Sequence, residues 1–282
     1  MNLENIINQI EAVDPEIHQR LDSRRSLLKN FAGFTGKLAL TAVPIAFGGL
    51  LNKAYSQTPA AVLDVLNFAL TLEYLEAKFY ETGIAAGEKL ISGYRDQLAI
   101  AEIGKHEMQH VGFLKAAITA AGGTPVTSPK FDLSGGMGSG QGPFKDAFSN
   151  YGLFLAVAQA LEDTGVRAYK GQAGNLKGTG AVLTAALNIH SVEARHASHI
   201  RQMRKNNGFS NTVKPWITNN DTGGIGSLVQ ANYNGEENQV QAGITIPGIN
   251  GFNITVSDAT ESFDEPLTKD EVLALVKPFL PA

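Results

Sequence analysis

The sequence predicts an all-α fold: a four-helix bundle with one long crossover between helices two and three, followed by an irregular C-terminal extension. Four segments carry helical periodicity, near 59–86, 94–121, 143–169 and 180–205, and breakers such as Gly87, Gly122, Gly123 and Gly208 bound them. The breaks within each pair are short. Between the second and third segments lies "GGTPVTSPKFDLSGGMGSGQG", about twenty residues rich in Gly, Pro and Ser. Short, long, short describes two antiparallel helix hairpins joined by a crossover, whereas an up-down-up-down bundle needs three short loops. After residue 208 the composition turns to Asn, Gly, Thr and Val. Alternation in "ITIPGINGFNITV" suggests a hairpin or irregular extension, and "LTKDEVLALVKPFL" a short capped helix.

The chain of 282 residues, 43% apolar and 18% charged, has an ordinary globular balance. A net charge of -4 without clustered cations beyond the N-terminus sets nucleic acid aside. With no cysteine, disulfides, thiolate metal sites and cysteine nucleophiles are excluded, so a metal here needs Glu, Asp or His. Residues 1–56 read as a twin-arginine-type signal. Arg24 and Arg25 stand in "SRRSLLK", ahead of the apolar run "LALTAVPIAFGGLL" and the small-x-small site "AYS". The organisation expected is therefore 1–56 signal, 57–207 bundle and 208–282 an extension packing on it, in a protein exported to the periplasm or beyond.

The stretch "HEMQH", His106 to His110, supports two metal readings. It is the H-E-x-x-H of zinc proteases, and it contains E-x-x-H, the ligand pair of dimetal carboxylate bundles. The rest of the chain separates them. Glu73 is followed seven residues on by Tyr80, and Glu162 by Tyr169, each pair on one helix face. Each of these helices precedes an E-x-x-H helix: Glu107 with His110, then Glu193 with His196. In the second copy, "SVEARH", Val192 stands where a zinc protease would need its first histidine, so only E-x-x-H repeats.

One glutamate, then E-x-x-H, twice over, is the ligand inventory of a dimetal site. Four glutamates balance the charge of two divalent ions, and imidazole with carboxylate suits iron or manganese. Glu107 and Glu193 are the expected bridges, with Glu73 and His110 completing one ion and Glu162 and His196 the other. Tyr80 and Tyr169 would steady carboxylates from behind. His106, His190 and His199 are assigned to the same outer ring. Glu76 rivals Glu73 from one turn along, but seven residues after it comes Gly83 rather than a tyrosine.

The segments "LNFALTLEYLEAKFY", "EIGKHEMQHVGFLKAAI" and "SVEARHASHIR" resemble the ferritin-like domain family that includes the desiccation-related proteins of plants and their bacterial relatives. The resemblance spans about Ala60 to Arg204, and "FDEPLT" looks like that family's C-terminal extension. It implies a ferritin-like bundle and a role in stress. Similarity to bacterioferritins and rubrerythrins implies oxygen or peroxide chemistry, although the cysteine-ligated iron of rubrerythrins is impossible here. The expectation is a redox enzyme or ferroxidase using two ions of iron or manganese. The alternative is a non-catalytic protein that metal stabilises. Partners would be metal ions, small oxidants and the export machinery, with a homo-oligomer left open.

Overall fold

The computed structural model describes residues 60–281. The signal assigned to residues 1–56, Arg24 and Arg25 included, lies outside the described residues. Four long helices form the bundle: α1 (Ala60–Ala86), α2 (Tyr94–Ala120), α3 (Tyr151–Ala173) and α4 (Ala181–Asn206). Short 3-10 turns at Gly87–Lys89 and Gly174–Leu176 close the hairpins α1/α2 and α3/α4, and the crossover runs between α2 and α3. None of the described helices is long and apolar enough to cross a membrane.

Helix ends follow local chemistry. Gly122 and Gly208 adopt left-handed φ of 79° and 74°. There the amide of Gly123 donates to Ile118 O, and that of Phe209 to Arg204 O, each at 2.9 Å, which satisfies carbonyls the helix leaves open. The third helix starts later than its sequence suggests. Residues 143–149 form successive turns, and Asn150 stops them in extended conformation while its side chain accepts the Leu153 amide at 3.0 Å. An asparagine with that pairing is a helix N-cap, so the apolar pattern before it belongs to the crossover.

The crossover is tied down despite its glycines. The Asp132 carboxylate accepts amides of Ser134, Gly138 and Gly140 at 2.8–3.0 Å. The Asp132 and Met137 amides donate to Phe279 O and Pro278 O, joining the crossover to the chain's C-terminal end.

The extension holds two short helices, α5 (Val256–Thr260) and α6 (Lys269–Val276), both opened by capping boxes. Its hairpin is smaller than the alternation suggests: β1 (Val240–Gln241) pairs antiparallel with β2 (Ile244–Thr245). Ala242 and Gly243, both at positive φ, make the turn.

Apolar residues form two clusters. One gathers around Phe79, Ile100, Phe154, Leu155 and Ile200; the other around Leu66, Leu70, Leu114, Ile118 and Val182. Each fully buried side chain of this size contributes roughly 1.5–3 kcal/mol. Along every one of the four helices, the segments feeding these clusters flank the positions of Glu73, Glu107, Glu162 and Glu193. A buried polar layer thus lies between two apolar ones.

Candidate metal centre

All four helices contribute to that layer. Glu73 comes from α1, Glu107 and His110 from α2, Glu162 from α3, and Glu193 and His196 from α4. The carboxylates are 0% exposed, and His110 and His196 are 9% and 4% exposed. The i, i+3 spacing of each E-x-x-H puts both its side chains on one helix face, aimed between the two apolar clusters.

The donor atoms form two interlocked groups. One is Glu73, Glu107, His110 and Glu193; the other is Glu107, Glu162, Glu193 and His196, and within each the atoms lie within 4.8 Å of one another. His110 Nδ1 faces Glu73 Oε2 at 3.1 Å, Glu107 Oε2 at 3.2 Å and Glu193 Oε1 at 3.1 Å. His196 Nδ1 faces Glu107 Oε1 at 2.8 Å, Glu162 Oε2 at 3.3 Å and Glu193 Oε2 at 3.5 Å. Glu107 and Glu193 each turn one oxygen to either histidine. That is bridging geometry.

The layer is poorly satisfied as a hydrogen-bond network. Glu107 Oε1, Glu162 Oε2, both Glu193 oxygens and His196 Nδ1 are buried without a hydrogen-bond partner. The short approach of His196 Nδ1 to Glu107 Oε1 therefore lacks hydrogen-bond direction, whereas His110 Nδ1 bonds Glu73 Oε2 and Glu107 Oε2, so the unmet atoms lie around two points, one in each donor group. Such orphaned atoms are costly in a protein interior, and a cation at each point removes the cost. Four carboxylates and two imidazoles fit a pair of divalent ions in charge and in ligand type.

Charge within the layer is arranged accordingly. Burial above all pushes Glu73 up to about 8, against the pull of His110. It raises Glu162 well above the usual carboxylate range too, against His196. Glu193 moves the other way, to about 2, because the close approach of both histidines outweighs its burial. Burial would depress His196, but Glu162 and the carboxylates of Glu107 and Glu193 close to its Nδ1 hold it up to about 12. His110 rises well above its ordinary value for the same reasons. Without metal, the layer shares protons that ions would displace.

The tyrosines cross between helices. Tyr80 of α1 donates to Glu162 Oε1 of α3, and Tyr169 of α3 donates to Glu73 Oε1 of α1, both at 2.5 Å. Each hydroxyl occupies one carboxylate oxygen and leaves the other facing a histidine.

His106 is in neither donor group. Its Nδ1 lies 3.0 Å from His196 Nε2, and its Nε2 lies 3.1 Å from Glu102 Oε1 at the surface. Burial, then the nearby His196, holds its pKa below the ordinary value, so a neutral ring can accept a hydrogen bond from His196 Nε2 and donate one to Glu102. This backs the ligand ring in the tautomer that leaves Nδ1 free for a metal. The H-E-x-x-H zinc arrangement is not formed. His190 donates from Nδ1 to Val166 O at 2.9 Å, stapling α4 to α3. His199 is exposed, away from the donor groups.

Two features escaped the sequence reading. Glu102 is one exposed acid among many, although its place four residues before His106 is a helical contact spacing. Glu76, set aside above, is itself buried beside the layer.

A comparison with curated proteins gives no match. The family model described as "Ferritin-like domain" matches residues 61–206, which run from the start of α1 to the end of α4 and include all six donor residues. The chain therefore belongs to the ferritin-like domain family.

Proposed function

We propose that this chain holds two ions of iron or manganese in the polar layer and uses them to react with dioxygen or peroxide in stress protection. The observation that carries this reading is the pair of donor groups sharing Glu107 and Glu193, with buried oxygens that no hydrogen bond satisfies. Glu73 and His110 would hold one ion, Glu162 and His196 the other. The metal pair would supply electrons in steps that no side chain can provide. Around it, Tyr80 and Tyr169 hold carboxylates in orientation, His106 passes a hydrogen bond from His196 to Glu102, and the two apolar clusters exclude water.

The resemblance to desiccation-related proteins supports the stress role, and Arg24 and Arg25 before an apolar run support export to the periplasm or beyond. Elemental analysis of protein from its native compartment tests the metal reading: two ions per chain are expected. Consumption of oxygen or peroxide by the loaded protein separates a redox enzyme from a bundle that metal merely stabilises. An intact N-terminus carrying both arginines in a cytosolic fraction would rule out export.

A further inference from the structure

Arg204, in the last turn of α4, is a buried cation without a counterion. It is 2% exposed. Its Nη1 donates to Gln159 Oε1 at 2.5 Å and to Gly223 O at 3.0 Å, both neutral groups. Its Nε is buried with no hydrogen-bond partner. Among the described residues nothing accepts from Nη2, and no carboxylate forms an ion pair with the guanidinium. The buried carboxylate of that region, Asp163, is already taken: it accepts from Arg201 Nε at 3.2 Å, Arg201 Nη2 at 2.5 Å and the Tyr233 hydroxyl at 2.7 Å. Burial above all holds Arg204 below the usual arginine range. Arg201 adds to that, while Tyr233, Asp163 and the exposed Asp221 oppose it without cancelling it.

The unused edge is the one suited to recognition. Nε and Nη2 present two parallel N–H bonds side by side, the fork that grips a carboxylate with both oxygens. Two hydrogen bonds from Nη1 to neutral groups do not offset the burial of a whole guanidinium charge.

Room for an anion lies beside it. Arg204 is the only charged residue lining a cavity of about 310 Å³, whose wall is otherwise mostly apolar and includes Phe144, Leu153, Val157, Phe209, Ile225 and Leu228. That volume is at the small end of the range for small-molecule sites. The wall reaches the surface at Phe209 and Leu228, which are 43% and 63% exposed. Arg204 stands eleven residues past Glu193, about 16 Å along α4, so the cavity is separate from the polar layer.

One cation in an apolar wall selects a ligand with one negative charge and a hydrocarbon body. A dicarboxylate or a phosphate would bring further charge that no side chain of the wall answers. We propose that this cavity binds a small monocarboxylic acid, its carboxylate on the Nε and Nη2 edge of Arg204 and its hydrocarbon tail against Phe144, Val157, Phe209 and Leu228. The site does not depend on the metal pair.

Calorimetric titration of the full chain with octanoate, and with octanol as its uncharged counterpart, tests the site. One octanoate should bind per chain, and octanol should bind roughly tenfold more weakly or worse, since it cannot engage the charged fork. Arg204→Gln should bring octanoate down to the level of octanol. Leu228→Asp sets a negative charge against the ligand from an exposed position and should weaken octanoate by a similar factor; it decides the matter if Arg204→Gln fails to fold. The proposal is overturned by no saturable binding of octanoate up to about 10 mM, by equal affinity for octanoate and octanol, or by unchanged octanoate binding in either folded variant.

Discussion

Glu107 and Glu193 face both histidines, whereas Glu73 and Glu162 each face one. Replacing either bridging residue with Ala should therefore remove both ions, while Glu73→Ala should weaken the His110 half first; metal counts per chain check the contrast. His106→Ala should keep two ions at saturation but weaken the His196 half roughly 10- to 100-fold, the usual effect of losing a hydrogen bonder behind a ligand. Proton linkage gives another expectation. Without metal, His196, raised to about 12, and Glu73, raised to about 8, are protonated at pH 7, and ions must displace those protons. Glu193, lowered to about 2, is already ionised and adds no dependence there. Apparent affinity should rise with pH through 8 and beyond, and calorimetry in two buffers should report about two or more protons released per metal pair. Release of none would contradict this account. The convergence of Glu73, Glu107, His110, Glu162, Glu193 and His196 was legible in the sequence because the pattern is doubled, which chance rarely supplies. The burial of Glu76 was not, since a glutamate one turn from another reads as a rival until its surroundings are known.

On the scale of elements, periodicity and glycine punctuation locate three of the four helices closely, because a helix end is a local event made by a few adjacent residues. The start of α3 shows the limit. Phe144 and Ala147 are buried and mimic helical spacing, yet they pack from turns, and only the Asn150 cap marks where the helix begins. Gly171 is an element-level feature without a sequence signal. A Cβ there would lie 1.8 Å from Leu267 O, and the Leu267 amide donates to Arg167 O at 3.1 Å, so the extension runs directly across α3. Gly171→Ala should cost about 1–3 kcal/mol by forcing that segment away. Gly174→Ala, where nothing lies within 4 Å, is the matched control. Chemical denaturation and limited proteolysis of residues after 208 should separate the two variants.

Across the whole molecule, the extension shares the bundle's apolar cluster through residues such as Val229, Leu267, Val272 and Phe279, and buried polar contacts join the two as well. Arg167 of α3 donates from Nε to Glu265 O at 2.8 Å, and its other nitrogens donate to Asn232 O and Asn234 O at 2.5 and 2.8 Å. It also pairs with Glu236 Oε1 at 2.7 Å, with both side chains almost wholly buried. Asp163, next to Glu162, accepts from Arg201 and from Tyr233 of the extension. None of this could be read from sequence, since backbone carbonyls of distant loops leave no motif. Removal of one partner from a buried ion pair leaves the other uncompensated, at a cost of about 3–5 kcal/mol. Arg167→Ala should lose stability on that scale and expose the extension to protease, because the carbonyls of 232, 234 and 265 lose their donor as well. Adding Glu236→Gln should restore part of the loss, since no unpaired charge then remains buried. The bundle's donor residues lie on α1 to α4, so if the extension serves only as a cover, Arg167→Ala should still bind two ions while releasing them faster to a chelator. Unaltered protease resistance and chelator rates in Arg167→Ala would mean that the apolar contacts of α6 alone hold the extension in place.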